Sequence, residues 1–156
     1  MVGRCLSGIG KWNGVMRKHP VVEGKGVIGI VIVAHGGLAG EYLSAVEHVV
    51  GVQTGMRSVA IGPEDDRGLK QCEICDAADA VDQGDGVVIV TDMFGGSPSN
   101  LSLRACSPQN RRILYGANLP MLIKLAKSRH MSVPAAVDAA LDAAHKYINS
   151  HSVGQP

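Results

Sequence analysis

The sequence is poor in aromatic residues, which make up only 3% of its 156 residues. A core built without rings must consist of aliphatic side chains, and hydrophobic residues reach 46% while charged residues stay at 19%. These proportions are typical of a soluble globular protein, and the length suits a single domain. The shortage of rings argues against proteins that stack nucleic acid bases on aromatic side chains.

The chain also lacks an apolar run long enough to cross a membrane. Its longest such run is GVIGIVIVA at 26–34, whereas a membrane-spanning helix needs roughly 20 apolar residues. The N-terminus shows no apolar segment followed by a cleavage site, which a secretory signal would require. The sequence therefore predicts a cytoplasmic protein with no direct membrane insertion.

The sequence supports neither a nucleotide-binding site nor a zinc site. There is no G-x-x-x-x-G-K-[ST], and the one G-x-G-x-x-G, at 24–29, leads into a predicted strand instead of following a strand and opening a helix, so neither a P-loop nor a dinucleotide site is supported. Of four cysteines, Cys72 and Cys75 form a lone C-x-x-C without the second pair that a zinc site needs. Because they fall within a predicted helix, we interpret them as small buried hydrophobic residues of a reducing compartment.

Charge is distributed unevenly along the chain, although the formal net charge is only +1. Residues 1–26 carry five basic residues against one acidic residue, and the remainder carries 10 basic and 13 acidic residues. The mildly acidic remainder gives no reason to expect a nucleic acid partner. We predict a basic, disordered extension at 1–26, a folded domain at 27–149 and a flexible tail at 150–156.

Hydrophobic periodicity from residue 27 onward predicts strands alternating with helices. The β-branched runs predict strands at 26–34, 57–61, 86–91 and 111–116. Helices are predicted at about 38–50, 64–81, 98–106, 118–129 and 132–149. This order indicates an α/β fold, a doubly wound parallel four-stranded sheet flanked by helices.

The predicted helix starts carry residues suited to them. Ser97, Asn118 and Ser132 are each followed within two residues by proline, and such residues cap a helix whose first turn tolerates proline. Glu64, with the two aspartates that follow it, would place acidic residues in a first helical turn.

Three segments follow the carboxyl ends of predicted strands, where ligands bind in sheets of this kind. They are 35–37, 92–97 and 117–118. If the first and third strands are neighbours, the carboxylate of Asp92 can accept the Nδ1–H of His35 and leave Nε2 as a nucleophile. Nearby backbone N–H groups and the Ser97 hydroxyl could bind a phosphoryl group, and the glycines that would let it approach closely are Gly36, Gly37, Gly95 and Gly96.

Each of these features also has a simpler interpretation. A histidine at a strand end is more often structural than catalytic, an aspartate after a strand commonly forms a turn, and paired glycines can serve only a tight turn. The other histidines fall in the extension, on helices or at the C-terminus, and we expect them to be solvated: His19, His48, His130, His145 and His151.

Three stretches together resemble the mannose-type (mannose/fructose/sorbose) enzyme IIA domain of the bacterial phosphoenolpyruvate-dependent sugar phosphotransferase system. They are VIVAHGGLAGEYLSAVE at 31–47, TDMFGGSPSN at 91–100 and GANLPMLIKL at 116–125. The resemblance covers roughly 27–149. It implies the same four-stranded sheet, and a homodimer in which an antiparallel edge strand is exchanged between subunits.

The resemblance also implies a phosphotransferase activity and its residues. His35 aligns with the phosphorylated histidine and Asp92 with its carboxylate partner, the phosphocarrier HPr is the donor, and a separate enzyme IIB, linked to a membrane permease, is the acceptor. Transfer between two histidines needs neither a metal nor a cofactor. Met93, Phe94 and Asn118 are predicted partner contacts.

Two departures and three alternatives remain. Ala34 stands where some relatives carry Thr, and Phe94 where some carry Trp. The alternatives are a regulatory phosphohistidine protein without sugar transport, the phosphoryl-donor subunit of a dihydroxyacetone kinase system, and a flavodoxin-like module that binds a small anion.

Overall fold

The computed structural model describes residues 26–107 and 110–154. The predicted extension at 1–26 therefore lies almost entirely outside the described residues, and its predicted disorder stays a prediction. Four strands are present in this part of the chain: β1 (Gly29–His35), β2 (Met56–Ile61), β3 (Val87–Thr91) and β4 (Arg111–Tyr115). The helices are α1 (Leu38–Val50), α2 (Arg67–Val81), α3 (Ser97–Ser102), α4 (Leu119–Lys127) and α5 (Val133–Lys146), and a 3₁₀ turn (Leu103–Cys106) follows α3.

The four strands form one parallel sheet in the order β2-β1-β3-β4. The predicted α/β fold is thereby confirmed. Strand order reverses between β1 and β3, because the chain moves outward from β1 to β2 and then returns to the other side. The described residues include no antiparallel edge strand, and the predicted exchange between subunits stays a prediction.

Strand β1 is buried along its length except for its last residue, because helices cover both faces of the sheet. Ile30, Ile32 and Ala34 pack into the core beneath α1, α4 and α5, whereas Val31 and Val33 face the core beneath α2 and α3. A continuous β-branched run, as opposed to an alternating one, is what a strand buried on both faces requires.

Several predicted helix boundaries are wrong. Helix α2 begins at Arg67 and not at residue 64, because the side chain of Asp66 accepts the N–H of Leu69 and caps the helix there. Asp65 instead accepts the N–H of Gly62 at 2.6 Å within the preceding turn. Helices α4 and α5 end at Lys127 and Lys146, two and three residues earlier than predicted.

The predicted cap at Ser97 is also wrong. Gly96 occupies the N-cap position of α3, and no side chain caps the helix. The predicted single helix at 98–106 is instead a short α-helix that tightens into the 3₁₀ turn. Asn118 does cap α4 as predicted, since its Oδ1 accepts the N–H of Met121 at 2.9 Å. Ser132 precedes α5 but makes no side-chain cap bond.

No helix in the described part of the chain is long and apolar enough to span a membrane.

Candidate phosphoryl-transfer site

The strand order brings His35 and Asp92 together at the sheet's switch point. His35 is the last residue of β1, Asp92 follows β3 directly, and these strands are hydrogen-bonded neighbours with Val33 opposite Thr91. The condition under which the sequence predicted their meeting is therefore met. The third predicted segment also arrives here, because the N–H of Ala117 donates to the Thr91 carbonyl at 3.0 Å.

The Asp92 carboxylate holds His35 at two points. Its Oδ2 atom lies 2.7 Å from Nδ1 of the His35 ring and accepts the His35 backbone N–H at 3.0 Å. Its other oxygen, Oδ1, accepts the N–H of Met93 at 3.0 Å. An ionised carboxylate accepts only, so this arrangement favours the tautomer that carries the proton on Nδ1.

The electrostatics of the carboxylate follow from these bonds. Partial burial by itself would raise the pKa of Asp92, but hydrogen bonds from the backbone and ring of His35 outweigh it and leave the pKa below its ordinary value of 3.8. The carboxylate is therefore charged at neutral pH. A fixed negative charge beside Nδ1 stabilises any positive charge that develops on the ring.

The opposite edge of the His35 ring is open. Of the His35 side chain 48% is exposed, against 12% for Asp92, and no described residue forms a hydrogen bond with Nε2. A nucleophile needs a free lone pair and access to its electrophile, and Nε2 has both.

The four glycines of the site have two different roles. Gly36 and Gly95 have φ angles of 53° and 81°, a region that favours glycine. Their N–H groups are used within the protein, because Gly36 donates to the Ile61 carbonyl at 2.9 Å and Gly95 to Ser99 Oγ at 3.0 Å. These two glycines therefore shape the turns and do not present N–H groups to a ligand.

Gly37 and Gly96 are instead the N-caps of α1 and α3. Neither helix has a side-chain cap bond, so N–H groups of their first turns keep unused donor capacity. Gly96 also passes close to the ring: a Cβ added to it would lie 3.0 Å from Cε1 and 3.5 Å from Nε2 of His35. The small size of residue 96 keeps this side of Nε2 clear.

Sequence reasoning missed Ser99. Its buried hydroxyl accepts the Gly95 N–H and donates to the Gly96 carbonyl, both at 3.0 Å. Asn100 adds a longer bond from Nδ2 to the Gly95 carbonyl at 3.4 Å. Ser99 thus holds the Gly95–Gly96 turn, a role that the sequence analysis assigned to no residue, and the signal that could have found it is a hydroxyl four residues after a turn glycine.

We expect Ser99→Ala to lower the free energy of unfolding by about 1–3 kcal/mol, because the Gly95 N–H loses its partner. Urea unfolding measures this, and Ser99→Thr, which keeps a hydroxyl, should recover most of the loss. Ser44→Ala on the exposed face of α1 is the matched control. Equal losses for Ser99→Ala and the control would contradict a supporting role for the Ser99 hydroxyl.

Tyr42 is a second residue that the sequence did not indicate. Its hydroxyl donates to the Ala117 carbonyl at 2.9 Å and so ties α1 to the segment after β4. Burial, and secondarily the charge of Asp92, raise the pKa of Tyr42. Tyr42 therefore remains a neutral hydrogen-bond donor and ties α1, the helix that follows the segment at 35–37, to the segment at 117–118.

The predicted partner contacts differ in their exposure. Phe94 is 76% exposed and Met93 54% exposed, and the Phe94 ring packs edge-on against Tyr115 with centroids 5.0 Å apart. Asn118 is half-buried, with Oδ1 used in the cap of α4 and Nδ2 directed to the Ala144 carbonyl at 3.4 Å. Two of the three residues are thus exposed beside His35, and their contact with a partner stays a prediction.

The three described cysteines lie in α2 and in the 3₁₀ turn after α3. Cys72 and Cys75 lie within α2, as predicted, but they are only partly buried. Burial raises the pKa of Cys75, and it raises the pKa of Cys106 to about 11. In the described residues no group of three or more histidine, cysteine or acidic side chains could hold a metal ion. The described histidines other than His35 are exposed, as predicted: His48, His130, His145 and His151.

Because the thiolate is the reactive form, we expect Cys106 to resist alkylation in the folded protein. Iodoacetamide at pH 8, followed by peptide mass spectrometry, should modify Cys106 at least about tenfold more slowly than in urea-unfolded protein. Equal rates in the two states would contradict the raised pKa.

Comparison with known proteins places this geometry in a family. The family model described as "PTS system fructose IIA component" matches residues 29–144. The structure is similar to phosphotransferase system component EIIA from Streptococcus agalactiae, at 26% identity and a TM-score of 0.71, covering 79% of this chain and 96% of that one.

Two further solved structures agree in fold. The IIA protein associated with the fucose utilization operon of Streptococcus pneumoniae is 26% identical with a TM-score of 0.71, covering 80% of this chain and 93% of that one. The mannose/sorbose specific IIA subunit of Enterococcus faecalis is 21% identical with a TM-score of 0.73, covering 83% and 98%. The family match spans most of the chain and includes both His35 and Asp92, and the chain therefore belongs to the fructose/mannose-type IIA components of the sugar phosphotransferase system.

Proposed function

We propose that this protein is a cytoplasmic phosphocarrier that accepts a phosphoryl group from phosphorylated HPr on Nε2 of His35 and passes it to an enzyme IIB partner. The observation that carries the proposal is the bond of 2.7 Å between His35 Nδ1 and Asp92 Oδ2. This bond supports the tautomer with the proton on Nδ1 and a free lone pair on Nε2, the form in which a histidine attacks phosphorus.

Transfer forms one bond and breaks one bond. The Nε2 lone pair of His35 attacks the phosphorus atom of the donor phosphohistidine, and the P–N bond to the donor breaks as the electron pair returns to the donor ring. The proton on Nδ1 of His35 stays in its bond with Asp92. The positive charge that develops on the His35 ring is stabilised by the carboxylate, and the same steps in reverse deliver the group to the acceptor.

The phosphoryl oxygens meet the first turn of α1 and the hydroxyl of Ser97. Helix α1 is 13 residues long and its first N–H groups have no side-chain cap, so its N-terminus suits an anion. The Ser97 hydroxyl makes no cap bond and remains a donor. Gly37 and Gly96 have no side chain and so leave room for the phosphoryl group. Gly36 and Gly95 shape the turns that follow β1 and β3.

The direct test is phosphorylation of the purified protein by enzyme I, HPr and phosphoenolpyruvate. We expect acid-labile incorporation that maps to His35, with a ³¹P signal characteristic of Nε2 substitution, followed by loss of the label when enzyme IIB is added. Incorporation at another residue, or none with an active donor, would overturn the proposal. Label that forms on His35 but does not move to enzyme IIB would overturn the acceptor alone.

Gly96→Ala tests the space beside the ring. The backbone at residue 96, with φ −80° and ψ 174°, accepts alanine without strain, but the new Cβ would crowd Cε1 of His35 and Met93 Cγ, the latter at 3.3 Å. We expect the initial rate of phosphorylation to fall by about tenfold or more, because small displacements of reacting groups are costly.

The matched control for this variant is Gly68→Ala. A Cβ at Gly68 on α2, outside the phosphoryl-binding turns, would meet only Asp66 Oδ1, at 3.3 Å, and we expect an unchanged rate. Both variants should keep the circular dichroism spectrum of the parent protein. A Gly96→Ala rate equal to that of Gly68→Ala would contradict the crowding argument.

A further inference from the structure

A groove of about 730 Å³ lies between α4 and α5, outside the His35 site. On one side it is lined by residues of α4 at spacings of three and four: Pro120, Ile123, Lys124 and Lys127. On the other side α5 contributes residues at the same spacing: Ala139, Asp142, Ala143 and Lys146. Residues at these spacings share one face of a helix, so one face of each helix lines the groove.

Helices α4 and α5 run antiparallel. The short connection at 128–132 joins them, and Nδ2 of Asn118 at the start of α4 reaches the Ala144 carbonyl near the end of α5. Two antiparallel helices that each line one side of the same groove form a surface against which a third helix can pack. The floor is apolar, since Ile123, Ala139 and Ala143 lie along it partly buried.

The rim of this groove is basic. Three lysines line it against one aspartate, Asp142, while residues 27–156 as a whole carry more acidic than basic residues. Lys146 also lies 5.8 Å from the centre of the Tyr147 ring, which lines the same groove. An apolar floor with a basic rim complements a helix with an apolar stripe bordered by carboxylates.

We propose that the α4–α5 groove is a docking surface for an acidic amphipathic helix of a partner protein. A second copy of this chain fits less well, because it would bring three more lysines and one aspartate to the same contact. A lipid surface fits less well too, since the groove is concave and its apolar residues lie on the floor between the lysines. This proposal does not depend on phosphorylation of His35.

Two designed peptides test the proposal with the full chain. Each is a capped amphipathic helix with leucines at helical spacing, flanked by glutamates in one peptide and by lysines in its twin. We expect the acidic peptide to bind at least about tenfold more tightly in fluorescence anisotropy. Its binding should weaken with added salt and shift the methyl resonances of Ile123 and Ala143.

Variants then locate the binding. Reversing the three groove lysines to Glu (Lys124, Lys127 and Lys146) should abolish the preference for the acidic peptide, and changing them to Gln should weaken it with less cost at the helix C-termini. Arg67→Glu, a charge reversal on α2 outside the groove, is the control and should change nothing. Circular dichroism and melting temperature check that each variant is folded.

Four results from the peptide and vesicle measurements would overturn the proposal. They are equal affinity for the two peptides, binding that survives the Lys-to-Gln changes, methyl shifts confined to other elements, and binding to vesicles of phosphatidylcholine and phosphatidylserine without binding to the peptide. A monomer–dimer equilibrium that shifts toward the monomer in an Ala143→Trp variant would identify a second copy as the occupant and would also overturn it.

Discussion

His35→Ala is expected to abolish phosphoryl acceptance from HPr. Incorporation should fall by at least about three orders of magnitude, because the substitution removes the only nucleophile that the proposal places at the end of β1. The ring is half exposed and contributes little to the core, so the free energy of unfolding should fall by no more than about 1 kcal/mol. Initial rates with labelled phosphoenolpyruvate, together with urea unfolding, measure both quantities.

His48→Ala is the matched control, since His48 is an exposed histidine on α1. This variant should be labelled at the rate of the parent protein. If label persists in His35→Ala and disappears in His48→Ala or in a variant of another histidine, His35 is not the phosphorylated residue.

Asp92→Asn is expected to slow phosphorylation by about 100-fold or more while the fold is kept. An amide cannot replace the carboxylate in either orientation. If the amide oxygen faces His35, the amide NH₂ faces the Met93 N–H, and two donors then oppose each other. If the amide is reversed, the NH₂ faces the Nδ1–H and the backbone N–H of His35, which are also donors. Loss of the charge also leaves the developing imidazolium without its counter-ion, and comparable changes to histidine-orienting carboxylates cost 10²–10⁴-fold, roughly.

The pH dependence of stability offers a second measurement on the same variant. Because the pKa of Asp92 is lowered in the folded protein, its charged form stabilises the fold fully above the ordinary value of 3.8, and this contribution is lost as pH falls through the lowered folded value. The parent should therefore be more stable than Asp92→Asn at pH 6, and the difference should shrink toward pH 3. An unchanged rate, or a stability difference independent of pH, would contradict the orienting role.

The Ser99→Ala variant and the alkylation of Cys106 probe supporting features, whereas the two variants of the His35–Asp92 pair probe the chemistry. Gly96→Ala leaves His35 and Asp92 in place and removes only the space beside the His35 ring, so we expect its effect on the rate to be smaller than that of either substitution in the pair. A graded result, with His35→Ala most severe, Asp92→Asn next and Gly96→Ala mildest, is what the geometry predicts.

Local sequence determined most of the architecture. The β-branched run of β1 predicts a strand buried on both faces, and alternation with amphipathic helices predicts a parallel sheet, because both signals arise from residues close together in the chain. Asn118 capped α4 as predicted for the same reason: a cap acts on an N–H three residues away. The sequence also indicated His35 and Asp92, since each directly follows or ends a predicted strand.

Only the tertiary structure decided which groups carry the remaining bonds. Competing acceptors lie within a few residues of one another, so the sequence could not distinguish Asp66 from Glu64 as the start of α2, and it did not indicate that the Ser99 hydroxyl holds the Gly95–Gly96 turn. Tyr42 and Ala117 are 75 residues apart, and no local pattern encodes such a bond. The four glycines likewise differ in a way that the sequence does not show. The N–H groups of Gly36 and Gly95 are bonded within the protein, whereas Gly37 and Gly96 are helix caps. Which N–H finds an acceptor is decided only when strands and helices pack.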